Sequence, residues 1–591
     1  MQDFQNWHKS INVGGSVQRE LIPYNGATIP TETHSIQSNE FKQGLQQLLQ
    51  YVADAMKEEE PVRIRSYGSK WSLNNAAYTN SYMVKSWGLN YCKIGLDTTE
   101  VTANYQANAD KLCFVQTGVM IHDLNNELFA RRLVLKTTGA SDGQRLVGAI
   151  SAGTHGSAMN FGSMQDYVKG IHLVIPKGTD SEHVFVQRAS DPVINDNFAA
   201  FLDNTRIIQD DDLFNAAVVG FGSFGLIHGL LIETEAMFQL KYKIVRFNPD
   251  DPHYKEPLRQ ALANPTRANI RAITTKRGEP IFDWVNDETG YPYFFSVTRN
   301  PYDNKLLNPR TFFVEVMEKV PLSAEFDAYS QEELASYLQD QMQNGNIQVH
   351  EKHEAVYHGL QAHLAKNLSD PTKSNSLHKE ALSAGIQIGL MVFHRHESKI
   401  PEIAVQQPPT TNFPNLIFHT KSATSPITNA PMPASSTEIG VPLSHVTEAV
   451  DAILETLQDP NHLLATPLGI RYIPNSLATL AVNQSFDPSS EITVTIELPG
   501  PDGNGHFIPP AAPAHQAIFE MLKARGIPHR FHWGQQYPLN SDWVSQSYAP
   551  EKVAAWKTAR EQLLPTAKAQ FLFSNDMTDA IGLTDSSSNV S

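Results

Sequence analysis

The sequence has little cysteine, little positive charge and no long apolar run. Cys92 and Cys113 are its two cysteines in 591 residues, which excludes a disulfide-rich scaffold and a cysteine-rich metal site; they form either one disulfide or two buried thiols. The net charge of −16 disfavours nucleic acid and anionic membrane surfaces as partners. No apolar run approaches the roughly 20 residues that span a bilayer, and the N-terminus has no secretory apolar segment. We therefore expect a cytoplasmic protein.

The rest of the composition is that of a globular protein, with 41% hydrophobic and 18% charged residues. A chain of this length exceeds one hydrophobic core, which predicts at least two domains. Helical spacing over residues 40–58, 121–131 and 513–525, and strand-like runs such as 171–175 and 492–498, indicate mixed α and β structure.

Two segments rich in small residues lie near strand-like runs, at Thr137–Ala140 and Val147–Ser157. Side chains this small let the backbone approach something large and flat, and glycine also permits a positive φ. The segments are either a cofactor cradle or two ordinary loops of an α/β domain.

A GxGxxG pattern occurs at Gly220–Gly225, after a strand-like run at Ala217–Val219. A dinucleotide-binding site of this type requires a helix directly after the glycines. The following segment, 226–234, is instead rich in β-forming residues. We predict a glycine turn rather than a Rossmann site.

Four blocks occur in the order found in the FAD domain of the vanillyl-alcohol-oxidase flavoproteins, which the sequence resembles. They are Asn6-Trp7, Val62–Ser72, Val147–Gly162 and Val219–His228. The C-terminal half is similar to the aldonolactone and alditol oxidase branch. Its HWGK, Asn and Glu-x-Arg motifs match His532–Gln535, Asn575 and Gly469–Arg471.

The resemblance implies an α+β protein with a PCMH-type FAD-binding domain and a substrate (cap) domain whose antiparallel sheet is flanked by helices. It places the FAD-binding domain at 1–245 and the substrate domain at 246–530. A C-terminal segment at 531–582 would return to the flavin cleft, and we expect the tail at 583–591 to be disordered.

The resemblance also implies which residues hold FAD. They are Ser66, Tyr67, Gly68, Ser69, Lys70, Trp71, Thr138, Gly139, Ala140, Ser141, Gln144, Val147, Gly148, Ser151, Gly153, Thr154, His155, Gly156, Gly222, Gly225, Leu226, Ile227 and Asn575. His155 is expected to hold the cofactor loop, and Lys70 to face the pyrophosphate or solvent. A small residue at Gly139 leaves space for O₂ beside the flavin, which favours an oxidase over a dehydrogenase.

The implied activity is oxidation of a CH–OH or CH–NH group of a small molecule, with transfer of a hydride to flavin N5 and of electrons to O₂. Arg471, His532 and Gln535 are the candidate catalytic residues. Arg471 either stabilises a flavin or substrate oxygen or is a salt-bridged arginine. His532 is either a base or hydrogen-bond partner beside the ring or packs against Trp533. We predict no metal.

Three departures from the family pattern qualify this resemblance. Ser69 replaces the histidine that carries the covalent flavin bond, and no cysteine lies near Gly148, so we predict non-covalent FAD. Gly469 replaces the acid of Glu-x-Arg, and Gln535 replaces the lysine of HWGK. The alternatives are therefore biosynthetic oxidation or oxidative cyclisation of a larger, less polar metabolite, and flavin binding without catalysis.

Overall fold

The computed structural model describes most of the chain. The described residues are 2–6, 12–21, 38–139, 143–285, 289–302, 312–322, 324–328, 330, 332–333, 403–405, 434–459, 461–464, 466–501, 510–538 and 540–584. Three residues of the predicted site blocks, Trp7, Ala140 and Ser141, lie outside them. At the C-terminus the described chain includes Leu583, whose side chain is buried although it belongs to the predicted tail.

Two small sheets form the N-terminal edge of the molecule. An antiparallel pair joins β1 (Gln2–Gln5) and β2 (Asn12–Val17). A parallel sheet has the order β3 (Arg19–Leu21), β5 (Tyr82–Lys85), β4 (Ile64–Tyr67). Strand β4 lies inside the Val62–Ser72 block, and its C-terminal end leads into the turn at Gly68.

A six-stranded sheet is the centre of the N-terminal half. Its strands are β6 (Cys92–Ile94), β7 (Leu112–Gln116), β9 (Val168–Lys177), β10 (Asp180–Gln187), β11 (Arg206–Gln209) and β12 (Leu226–Glu233), in the order β11-β10-β9-β12-β7-β6. The short strands β8 (Leu133–Val134) and β13 (Glu235–Ala236) pair beside it. Because β9 is buried along almost its whole length, both faces of the sheet are covered.

Five helices accompany this sheet. They are α1 (Ser38–Lys57), α2 (Ile121–Ala130), α3 (Leu146–Ser151), α4 (Asp196–Phe201) and α5 (Asp211–Ala217). The predicted helices at 40–58 and 121–131 are confirmed. In α1, Phe41, Leu45, Leu48 and Val52 recur at helical spacing and are buried, so this face packs on the sheet.

One local prediction is wrong. Ala217 ends helix α5 and Val218 keeps helical dihedrals, where the sequence suggested a strand. Asp210 caps this helix by accepting a hydrogen bond from the Leu213 backbone, which starts the helix in place of a strand. The small-residue segment Val147–Ser157 begins inside helix α3. The turn at Gly220–Gly225 leads directly into β12, which confirms the absence of a Rossmann helix.

An eight-stranded antiparallel sheet forms the second half. Its strands are β14 (Gln239–Phe247), β15 (Phe294–Arg299), β16 (Phe312–Val320), β17 (Ile403–Val405), β18 (Ala434–Pro442), β19 (Leu468–Pro474), β20 (Ile492–Pro501) and β21 (Arg530–Phe531), in the order β17-β14-β16-β15-β19-β20-β18-β21. An apolar row of Val314, Val297, Ile470, Ile496 and Ile439 crosses it in register. This row alternates with a polar row on the opposite face.

Helices flank this sheet and continue to the C-terminus. They are α6 (Pro252–Ala263), α7 (Arg267–Arg271), α8 (Ala324–Ala328), α9 (Val446–Thr456), α10 (Ala512–Ala524), α11 (Ser541–Ser547), α12 (Pro550–Leu563), α13 (Ala567–Leu572) and α14 (Asp576–Ala580). Helix α12 packs on α5, and α13 packs on α1. The C-terminal helices therefore return to the N-terminal half. Among the described helices, none is both long and apolar enough to cross a membrane.

Candidate functional site

The turn after β4 presents backbone N–H groups to its surroundings. Within the described chain, the N–H groups of Gly68, Ser69 and Lys70 have no hydrogen-bond acceptor. Lys70 has a φ of 57°, which gives the turn the geometry of an anion-binding nest. The Lys70 ammonium lies 4.8 Å from the Phe4 ring and 4.9 Å from the Tyr67 ring, so its side chain contacts aromatic rings instead of extending into solvent.

Gly68 is required where this turn meets the start of α3. A Cβ atom at Gly68 would lie 2.8 Å from the Arg145 side chain, so only glycine fits without displacement. The Trp87 indole donates a hydrogen bond of 2.8 Å to the Gly68 carbonyl, and the Arg145 guanidinium lies 5.3 Å from the Trp87 ring. Burial lowers the pKa of Arg145 to about 10. Arg145 remains a cation beside the nest.

Two threonine hydroxyls in the small-residue segment Thr137–Ala140 are buried. The side chains of Thr137 and Thr138 are fully buried, and their hydroxyl oxygens have no partner among the described residues. A buried hydroxyl without a partner is costly, which indicates a ligand that completes its hydrogen bonds. At Gly148, on α3, a Cβ atom would meet open space, so the helix leaves room for a bulky group there.

Buried Arg65 fixes the glycine turn before β12. Its guanidinium donates hydrogen bonds to the carbonyls of Phe221 and Phe573, the second at 3.2 Å. Gly222 has a φ of 76°, and a Cβ atom there would lie 2.9 Å from the Arg65 guanidinium. The Phe221 N–H donates to the Ser151 carbonyl at 3.3 Å. The turn is thereby joined to the end of α3, as the predicted FAD site requires.

Three further glycines of the predicted cofactor segments lie at turns or at close contacts between segments. Gly153 has a φ of 77°, and a Cβ atom there would lie 3.7 Å from Val219. A Cβ atom at Gly139 would lie 2.6 Å from Thr154, so these two segments are in contact. Gly225 has a φ of 140° at the entrance to β12, where Leu226 and Ile227 begin the strand.

A polar row on the eight-stranded sheet faces these loops. Strand register pairs Glu497 on β20 with Glu438 on β18 and with Gly469 on β19. The two glutamate side chains and position 469 therefore lie on one face of the sheet. Two residues further along β19, Arg471 pairs with Thr495 and Ser296 on the same face. The Thr495 hydroxyl is buried and has no partner among the described residues.

Arg471 is held between two carboxylates. Its guanidinium nitrogens lie 3.4 Å from Glu438 Oε1 and 2.5 Å from Glu497 Oε2. Burial alone would lower the pKa of Arg471, but Glu497 and Glu438 outweigh burial and raise it. Arg471 is therefore salt-bridged, as one sequence alternative proposed, and its side chain is mostly buried instead of lying on the surface.

His155 and His532 contact the same carboxylate. His155 Nε2 lies 3.3 Å from Glu438 Oε1, and His155 Nδ1 hydrogen bonds with the Gly156 carbonyl at 3.0 Å. Burial opposes protonation of His155, yet Glu438 raises its pKa above the ordinary value. For His532, burial dominates and lowers the pKa to about 4, so His532 is neutral at pH 7.

Glu438 is an ionised carboxylate inside this group. Burial would raise its pKa, but His155, Arg471 and His532 together lower it well below the ordinary value. The ligand atoms of His155, Glu438 and His532 lie within 4.8 Å of one another, which also suits a metal ion. We interpret the cluster as an ion-pair network, because Arg471 already balances the charge of Glu438 and would repel a cation.

The segment after β21 joins the loops to the sheet face. The Leu73 N–H donates to the Gly534 carbonyl at 2.9 Å, and the Asn74 amide donates to the Gln535 carbonyl at 2.7 Å. The Gln535 side chain accepts a hydrogen bond of 2.9 Å from the Ser436 hydroxyl. His532 packs against His155, with ring centroids 5.8 Å apart. The predicted catalytic residues are therefore together.

Asn575 binds the chain next to Asn74, whose side chain contacts Gln535. Its side-chain amide donates to the carbonyls of Asn75, Ala76 and Tyr78, and its Oδ1 caps helix α14 through Thr578. These contacts make Asn575 an organiser of the chain that follows the nest.

The sequence interpretation missed Glu438, Glu497 and Glu315. Glu315 is buried and accepts a hydrogen bond of 3.0 Å from Ser296. Each acid interrupts a run of β-forming residues, which is the available signal for a buried polar site on a strand. Their convergence depends on strand register, which local patterns do not specify.

The residues present fit FAD. The nest at Gly68–Lys70 suits a pyrophosphate, and the unpartnered Thr137 and Thr138 hydroxyls suit a polar ring system or ribityl chain. The glycine segments around Gly148 and Gly222 allow backbone to approach a large flat group.

Comparison with known proteins agrees with this fit. Residues 43–180 match the FAD binding domain family. The L-gulono-1,4-lactone dehydrogenase of Mycobacterium tuberculosis is 25% identical over 194 residues, 33% of this chain and 36% of that protein. The D-arabinono-1,4-lactone oxidase of Debaryomyces hansenii is 26% identical over 136 residues, 23% of this chain and 20% of that protein. The matches thus span about a third or less of these curated relatives.

The fold extends over a larger part of the chain than the sequence similarity does. A cholesterol oxidase of Brevibacterium sterolicum aligns with a TM-score of 0.59 and 10% identity, covering 98% of this chain and 96% of that one. This similarity concerns the fold and confirms the predicted α+β architecture with an antiparallel sheet. Residues 43–180 are therefore similar to the FAD binding domain family, and the fold of the chain is similar to that of this cholesterol oxidase.

Proposed function

We propose that the protein is an FAD-dependent oxidoreductase that oxidises a CH–OH group of a small molecule and uses O₂ as electron acceptor. The observation that carries the proposal is the cluster of Arg471, Glu438, Glu497, His155 and His532 opposite the cofactor loops. Bound FAD would supply hydride acceptance at N5 and reoxidation by O₂. CH–OH is preferred to CH–NH as donor because the relatives are named for lactones and the fold neighbours for a sterol alcohol.

The protein's own residues have distinct tasks in this proposal. The nest at Gly68–Lys70 binds the pyrophosphate through backbone N–H groups, so a net negative charge of the chain does not prevent binding. Arg471 supplies a fixed positive charge where negative charge develops during reduction. Glu438 holds Arg471 and His155 in place from the buried side.

We further propose that FAD is held without a covalent bond. Ser69 has no imidazole to attach the flavin. The two cysteine sulfurs lie 3.2 Å from each other on β6 and β7, so each thiol contacts the other. The shape of the loops and the hydrogen bonds at Thr137, Thr138 and the nest then carry the affinity.

An absorbance spectrum before and after acid precipitation tests cofactor and attachment together. We expect a yellow protein whose colour passes into the supernatant. A yellow pellet would contradict non-covalent binding, and a colourless protein that does not take up added FAD would contradict the proposed function.

Anaerobic mixing with xylitol, L-gulono-1,4-lactone, D-arabinono-1,4-lactone and cholesterol tests the reaction. We expect at least one compound to bleach the flavin, and admission of O₂ to restore its colour. Flavin that stays oxidised with every compound would favour the alternative of flavin binding without catalysis.

A second candidate is biosynthetic oxidation of a larger, less polar metabolite. It is favoured by Gly469, which removes a carboxylate, and by Gln535, whose side chain accepts a hydrogen bond from Ser436. The same compound panel separates the two candidates. Faster bleaching by cholesterol than by xylitol supports the second, and clear turnover of xylitol opposes it.

A further inference from the structure

Gly469 leaves Arg471 without an acid two residues earlier on its own strand. The directly opposite residue on β20 is Glu497, and register pairing places both on one face. A Cβ atom at Gly469 would lie 3.7 Å from Glu497 Cβ and 3.8 Å from Glu497 Oε2. The Glu497 carboxylate thus occupies the space beside position 469 and reaches Arg471 at 2.5 Å.

Exposure distinguishes Glu497 from the other two acids of the site. The Glu438 side chain is 3% exposed, and Glu315 is 2% exposed. The Glu497 side chain is 19% exposed, so it is the most accessible of the three acids. A base must reach the proton that it removes, which selects Glu497.

The backbone at Gly469 adds space beside this carboxylate. Apart from Glu497, no atom of the described chain outside the immediate neighbours lies within 4 Å of a Cβ atom built there. A carboxylate placed on β19 at position 469 would therefore meet Glu497 and no other described side chain at its Cβ atom.

We propose that Glu497 is the base for the substrate hydroxyl, so that the acid of the Glu-x-Arg pair has moved from β19 to the adjacent strand β20. The inference rests on the proposed function. The hydroxyl O–H bond breaks, and its proton passes to the Glu497 carboxylate, which becomes a neutral acid. The carbon that carries this hydroxyl gives up its hydride, for which bound FAD would be the acceptor, and the substrate becomes a carbonyl compound.

Moving the carboxylate from position 497 to position 469 tests this inference. Four variants are compared with the original protein: Glu497→Gln, Gly469→Glu with Glu497→Gln, Gly469→Gln with Glu497→Gln, and Glu491→Gln. The last is a matched control, since Glu491 is exposed and precedes the same strand. The readouts are the thermal unfolding midpoint of the FAD-free protein and the anaerobic bleaching rate with the panel compound that bleaches the original protein fastest.

We expect Glu497→Gln to lower the unfolding midpoint and to slow bleaching about 100-fold or more, with FAD content retained. A glutamate at position 469 should restore the midpoint through Arg471 and the rate to within about tenfold, whereas glutamine there restores neither. Glu491→Gln should match the original protein.

The outcomes separate the two proposals. If the original protein is not bleached by any panel compound, the proposed function fails. If the original is bleached and Glu497→Gln bleaches equally fast, the function stands and the role of Glu497 is wrong. Recovery of the midpoint without recovery of the rate would show that Glu497 only pairs with Arg471, which also overturns the inference.

Discussion

Glu438 is the residue on which the charges of the site depend. It is buried, and His155 and Arg471 lie 3.3 Å and 3.4 Å from its Oε1 atom. Removal of one partner from a buried ion pair leaves the charge of the other partner unpaired. The resulting loss of folding free energy is larger than the net contribution of the intact pair. The carboxylate therefore sets the protonation of His155 as well as the position of Arg471.

The substitution Glu438→Gln tests this dependence. The lowered pKa of Glu438 stabilises the fold above its ordinary pKa of 4.5, and this contribution is lost as the pH falls through the lowered pKa. The raised pKa of His155 stabilises the fold below 6.5, and this contribution is lost as the pH rises through the raised pKa. Urea unfolding should show a deficit of about 3 kcal/mol that is largest between pH 4.5 and 6.5.

Glu448→Gln is the matched control for that measurement. Glu448 is exposed on α9, so its replacement should change the free energy of unfolding by less than about 0.5 kcal/mol. A Glu438→Gln deficit that stays constant from pH 5.5 to pH 9 would contradict the coupling to His155.

At this scale the sequence identified Arg471 and His532 but missed their acidic partners. Motifs report residues that are close along the chain, such as His532 and Gln535. Glu438 and Glu497 reach Arg471 from two other strands, and their selection requires the pairing register.

At the scale of elements, a chain of side chains crosses four strands of the six-stranded sheet. Gln116, His228, His172 and His183 are joined by contacts of 2.8, 2.9 and 3.1 Å. The side-chain oxygen Oε1 of Gln116 accepts a hydrogen bond from the Tyr91 N–H, so the side-chain nitrogen Nε2 of Gln116 donates to His228 Nε2. Each imidazole then donates to the next through one tautomer, which places a proton on His228 Nδ1 and on His172 Nε2.

This chain should make the fold acid-sensitive. Burial lowers the pKa of His172 far below its ordinary value and that of His228 to about 3. A lowered folded-state pKa means that stability is complete above pH 6.5 and falls as the pH falls. Each such histidine adds about 1.4 kcal/mol per pH unit to the slope of the free energy of unfolding against pH. We expect His228→Gln to reduce the slope of unfolding free energy between pH 4 and 6 by that amount.

His462→Gln serves as the control, because the His462 side chain is one-third exposed and lies outside the sheet. Urea titrations at half-unit pH steps measure all three proteins. Equal slopes for His228→Gln and the original protein would show that His228 titrates outside this range.

Regular elements with strong local patterns could be predicted, and short ones could not. Helix α1 has an apolar face over four turns, and strand β9 contains the apolar residues Leu173, Val174 and Ile175 in succession. Helix α5 ends at Ala217 inside a run of small and β-branched residues, where the Asp210 cap outweighs the local preference. Helix α3 has six residues, too few for a period to be recognised.

At the scale of the whole molecule, buried arginines tie the C-terminal helices to the cofactor loops. Arg65 Nη2 lies 3.2 Å from the Phe573 carbonyl, and Arg560 Nε lies 2.8 Å from the Ser223 carbonyl. Arg63 pairs with Asp576 and Asp579. Burial, with the charges of Arg560 and Arg63, lowers the pKa of Arg65 to about 9, which still leaves it protonated at pH 7.

The sequence predicted a return of the C-terminus to the cleft but not how it is held there. Arg65 and Phe573 are 508 residues apart, and the carbonyl groups that Arg65 binds carry no sequence signature. The sequence patterns predict no role for Arg65, whereas its guanidinium joins the Phe221 and Phe573 carbonyls. Such long-range contacts follow from the packed fold and not from local composition.

Arg65→Met tests whether this tie supports both the fold and the cofactor site. Methionine retains much of the apolar stem but leaves the Phe221 and Phe573 carbonyls without a donor, at about 1–3 kcal/mol each. Urea unfolding should show a loss of about 4 kcal/mol, and less FAD should remain bound after gel filtration because the Gly222 turn loses its support. Arg525→Met removes an exposed ion pair with Glu455 and should cost less than about 0.5 kcal/mol. If Arg65→Met and Arg525→Met had the same free energy of unfolding and retained the same amount of FAD, the C-terminal helices would be held without Arg65.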